Sequence, residues 1–151
     1  PDDGLRPLTV RGTARTRLAV RGLLRLEPGI SSVLTSPLLR AMETARLLCA
    51  ELDGVKPETL DALASGGSRR RVLERLARSK ADTIVALVGH EPDLGRLIGT
   101  MLFGAPAAVP LKKAGACAIA FVGAPRADEG QLLWLLPPRT LRRLARSKAV
   151  R

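Results

Sequence analysis

Two residues in this chain of 151 have the type and setting for phosphate chemistry: Arg40 and His90, the latter its single histidine. Each follows an apolar run. Ile30 to Thr35 leads into Ser36-Pro37 with Arg40 one turn later, and Thr83 to Val88 leads into Gly89-His90-Glu91-Pro92. In open parallel sheets ligands bind beyond the carboxyl ends of the strands. If both runs are parallel strands, Arg40 and His90 point into one space. Both also lie beside the start of a helix, where free N–H groups and the helix dipole favour an anion. A guanidinium, an imidazole and two helix starts at one sheet edge describe a phosphate pocket.

Taken singly, each residue has an ordinary structural use. Arg40 is one of 20 arginines, most of which belong on solvated faces. A lone loop histidine commonly caps a helix or closes a turn. A single histidine also excludes, within these residues, any mechanism that needs two imidazoles. Cys49 and Cys117 stand far apart in apolar stretches without C-x-x-C spacing, and read as buried, reduced, inert thiols. One histidine and two distant thiols do not make a metal site, so no metal and no cofactor are expected.

The elements that must position the pair follow from caps and breakers. Pro1-Asp2-Asp3-Gly4 reads as a turn, so the chain is expected to begin inside a loop. Leu8-Thr9 offers an N-cap for a helix over 10–26, with Gly12, Thr16, Ala19, Leu23 and Leu26 on one face and Arg17, Arg21 and Arg25 as a wet stripe. Pro28-Gly29 stops it. A strand over 30–35, a helix over 38–52 and a short edge strand within 55–60, marked by Pro57, come next. Ser65-Gly66-Gly67 turns into a polar helix over 69–78 with Ser68 as cap. The run over 83–88 is apolar throughout, as a strand covered on both faces should be. Pro92 suits the first position of a helix over 93–103. Strands over 114–122 and 131–136 form a plausible antiparallel pair before a last helix over 139–148. Strands alternating with helices indicate a single-domain three-layer α/β/α sandwich with a mainly parallel sheet.

Composition narrows the partners. A formal charge of +11 favours polyanions. Single-stranded nucleic-acid binders rely on stacking aromatics, however, and only Phe103, Phe121 and Trp134 are present. Nucleic acid is therefore disfavoured, though an Arg-rich, non-catalytic polyanion-binding module stays open as an alternative. No apolar run approaches the ~18–20 residues of a membrane span, so no membrane partner is expected.

The segment Leu34-Thr35-Ser36-Pro37-Leu38-Leu39-Arg40-Ala41-Met42-Glu43-Thr44-Ala45 resembles the SPLxRAxxTA signature of the histidine phosphatase superfamily, whose fold is phosphoglycerate-mutase-like. Arg6-Pro7-Leu8-Thr9-Val10-Arg11-Gly12 resembles that family's RPLTxxG lead into its first helix. Val88-Gly89-His90-Glu91-Pro92 resembles the segment bearing its second essential histidine. The short Arg40–His90 span and Leu135-Leu136-Pro137-Pro138 are most similar to the SixA-type phosphohistidine phosphatases.

The resemblance implies a phosphatase acting on a phosphohistidine-bearing protein through a covalent phosphohistidine, with a small phosphate ester or anhydride as the alternative substrate. Arg40 and His90 would bind and stabilise the phosphoryl oxygens. Ser36 would contribute a hydroxyl or cap the helix, the cap being favoured. Glu91 would serve as proton donor or cap, again with the cap favoured, and Asp61 is a weaker candidate acid. Lys112 and Lys113 would meet an acidic protein surface or simply be solvated. The family's nucleophile sits in an Arg-His-Gly or Arg-His-Ala motif on the first, central strand, and no residue here matches it. The expectation is a cytoplasmic monomer whose first strand precedes Pro1. The 151 residues alone are expected to be inactive and poorly stable, with two sheet edges exposed.

Overall fold

The computed structural model describes residues 3–148. The expected turn at Pro1 and Asp2 lies outside these residues; Asp3–Leu5 form one 3₁₀ turn. Thr9 then caps α1 (Val10–Leu26), its Oγ1 accepting from the Gly12 N–H at 2.9 Å. The order continues β1 (Ile30–Thr35), α2 (Leu39–Ala50), β2 (Pro57–Thr59), a 3₁₀ turn (Asp61–Leu63), α3 (Arg69–Ala77), β3 (Ile84–Val88), α4 (Asp93–Phe103), β4 (Ala116–Ala120), β5 (Gln131–Leu136) and α5 (Pro138–Arg146).

The strands form two sheets. β1 is the centre of a parallel three-stranded sheet in the order β2-β1-β3, and β4 pairs antiparallel with β5. Pro57 sits on the edge strand, where its missing N–H disturbs no ladder. A single mainly parallel sheet is thus divided: β3 and β4 each carry one side that pairs with no strand among the described residues. They nevertheless share a core. Val85 and Leu87 of β3, Ile119 of β4 and Phe121 just beyond it pack on the same buried cluster as Leu34, Val72, Leu97 and Met101. Alternate residues turn to the other face, where Val33, Ala86 and Val88 meet α1 and α2 through Val20, Ala45 and Leu48. This is the three-layer sandwich. The open side of β3 explains why its wholly apolar sequence is only half-buried.

On α1 the buried face is Thr16, Ala19, Val20 and Gly22, not a stripe ending at Leu26, which is exposed. The reason is α5. A Cβ on Gly22 would lie 1.8 Å from the Leu141 carbonyl oxygen, so only glycine lets the last helix close on the first. Arg17, Arg21 and Arg25 are exposed as expected, with Arg21 paired to Glu51 at 3.3 Å. Opposite, the Gly95/Gly99 stripe of α4 receives the backbone of residues 105–109: a Cβ on Gly99 would lie 1.8 Å from Ala107 O, and Val109 N–H donates to Gly95 O at 3.1 Å. No described helix is long and apolar enough to cross a membrane.

Candidate active site

The site is built where β1 and β3 end side by side. Thr35 and Val88 are register partners, and the next residue, Ser36, donates its N–H to Val88 O at 2.9 Å. Leu60 N–H donates to Thr35 O at 2.8 Å, so the exit from β2 joins the same edge. Ser36 is fully buried, which a hydroxyl tolerates only when bonded. Its Oγ accepts from the Leu38 N–H at 3.2 Å and lies 2.8 Å from His90 Nε2. With the Leu38 N–H occupying one lone pair, the hydroxyl can donate to a neutral ring or accept from Nε2–H. Ser36 therefore supports the lead into α2 and contacts the imidazole; it is not the cap of α2 that the sequence favoured. The cap residue of α2 is Leu38, which offers no side-chain bond.

Around His90 the chain is tightly determined. The Glu91–Pro92 peptide is cis, and Pro92 is the cap of α4 with Asp93 as first helical residue, one position earlier than expected for Pro92. Glu91 Oε1 accepts from the Gly95 N–H at 2.7 Å, the capping role favoured from sequence. Asp93 Oδ2 accepts from the Gly66 N–H at 2.9 Å, holding the Gly66-Gly67 turn against the start of α4. Gly67 is obligatory there, since a Cβ would lie 2.1 Å from Ala62 O. Between these pieces lies a small cleft of about 10 Å³ lined by His90, Leu63, Arg69, Asp93 and Leu94 among others.

Arg40 stands in the first turn of α2, four residues past Ser36 and half-buried, on the sheet edge that carries His90. The same helix draws in the preceding segment, because Glu43 Oε2 accepts from the Leu8 N–H at 2.6 Å. Lys112 and Lys113 are exposed in a turn closed by Gly115 N–H to Lys112 O at 2.7 Å, beside Leu136 and Pro138 and not among the residues lining the cleft. Asp61 is exposed and adjoins the lining residues Ala62 and Leu63 without joining them. Sequence reading missed Arg69 and Asp93. The cue for Arg69 was the Ser65-Gly66-Gly67-Ser68 turn, which reads as a turn and a cap without revealing that it folds back on His90.

The model of the histidine phosphatase superfamily (branch 1) matches residues 6–65. An uncharacterized protein of Picosynechococcus sp. is 43% identical over 117 residues, 76% of this chain and 71% of its own length. Among solved structures, the protein histidine phosphatase SixA complexed with tungstate superposes with a TM-score of 0.80 at 25% identity, covering 93% of this chain and 89% of that one. The chain belongs to the histidine phosphatase superfamily. The phosphoserine phosphatase of Entamoeba histolytica, at TM-score 0.67, 13% identity and 89% and 86% coverage, shares the fold.

In this histidine phosphatase superfamily member both cysteines are free. Cys49 is buried and Cys117 half-buried. Burial raises the Cys49 thiol and pushes Cys117 up to about 11, so both are protonated and unreactive near neutrality. Among the described residues no three His, Cys, Asp or Glu side chains cluster as metal ligands do.

Proposed function

We propose that this protein removes the phosphoryl group from phosphohistidine on a protein substrate. An imidazole attacks phosphorus as the N–P bond to the substrate histidine breaks, and that leaving imidazole takes up a proton. Water then breaks the new N–P bond, releasing orthophosphate and the free imidazole. His90 donates to a phosphoryl oxygen, and Arg40 offers a two-pronged fork to the others. The nucleophilic imidazole comes from a strand preceding Pro1 that pairs with β3 and β4.

The observation that carries this reading is the 2.8 Å contact of His90 Nε2 with buried Ser36 Oγ, on the sheet edge shared with Arg40, in a SixA-like fold. The unpaired sides of β3 and β4, joined through one core, support the strand. A phosphohistidine substrate also suits a site whose adjacent carboxylate, Glu91, is engaged in capping. Attacking and leaving imidazoles are similarly basic, so little help from an acid is needed.

The test is to extend the chain upstream and assay a histidine-phosphorylated protein beside a sugar phosphate. The extended protein is expected to hydrolyse the phosphohistidine faster, and Arg40→Ala to lower kcat about 10²–10³-fold (about 2.7–4 kcal/mol). Near-normal turnover in that variant, or preference for the sugar phosphate, would overturn the reading. Duplex and single-stranded DNA titrated with salt serve as the control for a polyanion-binding module, which would bind regardless of Arg40.

A further inference from the structure

Arg69 opens α3 and is half-buried, yet its guanidinium makes no hydrogen bond or ion pair among the described residues. Its neighbours are engaged. Arg70 lies 3.7 Å from Glu74, and Arg75 is held by Glu58 at 3.1 Å. A guanidinium that gives up part of its hydration without gaining an acceptor is suited to an anion from outside the chain.

Arg69 borders two spaces at once. One is the His90 cleft. The other is an open groove of about 560 Å³ that continues from Gly67 and Arg69 past Arg70, Leu73 and Thr100 to Pro106. No lining residue of the groove is acidic, and the one acid of the cleft, Asp93, already accepts from Gly66 N–H. Arg69 and Arg70 sit together at one end of the groove and Leu73, Pro106 and Ala127 line the rest, which fits a polypeptide carrying an acid. A small phosphorylated molecule at His90 would leave this groove empty.

We propose that Arg69 is a specificity-determining residue that binds an acidic side chain of the protein substrate lying in this groove, a few residues from the phosphorylated histidine. This rests on the phosphohistidine-protein reading above. Arg69 acts on the flank and Arg40 on the phosphoryl group, so the two can be told apart.

The experiment measures binding of the upstream-extended protein, by fluorescence anisotropy, to two peptides bearing a hydrolysis-stable phosphohistidine analogue, one with flanking Glu and one with Gln at the same positions. The Glu peptide is expected to bind about tenfold tighter, as a charge-assisted contact should provide. Arg69→Ala is expected to erase that difference while leaving the Gln peptide's Kd unchanged, and Arg69→Lys to retain part of it. Circular dichroism melting checks that the variants fold. Equal binding of the two peptides by the parent chain would overturn the subsite alone. Loss of Gln-peptide binding in Arg69→Ala would overturn it too, by moving Arg69 onto the phosphoryl group. If the parent and Arg40→Ala chains bind both peptides alike, the phosphohistidine reading itself fails and the subsite with it.

Discussion

His90 Nε2 and Ser36 Oγ meet at 2.8 Å across 54 residues of sequence. The contact exists because Thr35 and Val88 end two parallel strands in register, so the residues that follow diverge from neighbouring points. Ser36→Ala removes the ring's partner and the acceptor of the Leu38 N–H together. The expected cost is about 1–3 kcal/mol of stability, the usual penalty for an orphaned buried polar group. The single histidine makes the second consequence easy to read, since its ¹⁵N imidazole signals should shift in this variant and hold in Ser36→Thr.

Glu91 distinguishes capping from proton donation. Gln keeps an acceptor for the Gly95 N–H and Ala does not. Glu91→Ala should lose about 1 kcal/mol in urea unfolding, as lost caps do, and Glu91→Gln a few tenths at most. In the upstream-extended protein, Glu91→Gln should keep near-parent turnover on phosphohistidine; a drop of tenfold or more would make Glu91 a proton donor.

Gly22→Ala places a methyl where the Leu141 carbonyl stands. The two helices cannot both keep their positions, and overpacking of this kind costs about 1–3 kcal/mol. A thermal melt should fall accordingly. An unchanged melting temperature would mean that α5 does not rest on α1.

Ala114 has φ of 57°, in the third position of the turn closed by Gly115 N–H and Lys112 O. Glycine is favoured there, and a left-handed conformation costs other residues about 1–2 kcal/mol. Part of that gain is offset by the greater freedom of glycine when unfolded, so Ala114→Gly should stabilise by about 0.5–1 kcal/mol.

Stability should also fall in alkaline solution. Cys117 is pushed from 9.0 to about 11 by burial. Between those values the unfolded thiol gives up its proton and the folded one keeps it, so the folded state is progressively disfavoured as pH rises. Cys117→Ser should flatten the decline in denaturant midpoint measured across that range, and labelling of the native thiol by iodoacetamide should remain slow at neutral pH.

The local punctuation of the chain was highly legible. Thr9, Pro28-Gly29 and Ser68 bound helices whose ends depend on neighbours only a few residues away, and α1, β1, α4 and β5 fall where the sequence put them. What escaped was decided at long range. The face of α1 is broader than its periodicity implies because Gly22 meets α5 from the far end of the chain. The division of the sheet depends on which strands pair, and the apolar run of β3 reads alike with one neighbour or two. Within the site, the surroundings of Arg40 and His90 marked them as candidates. Arg69 carried no such mark, since its place in the cleft depends on Gly67 lying against Ala62 and on Asp93 holding the turn.

That last bond has a mechanical consequence. The turn leading to Arg69 is tied to Asp93, three residues beyond His90, so the two basic groups are linked through the start of α4. On the proposed reading, a substrate would present its phosphorylated ring and its acid at the separation set by that link, and the protein would act as a ruler along the peptide.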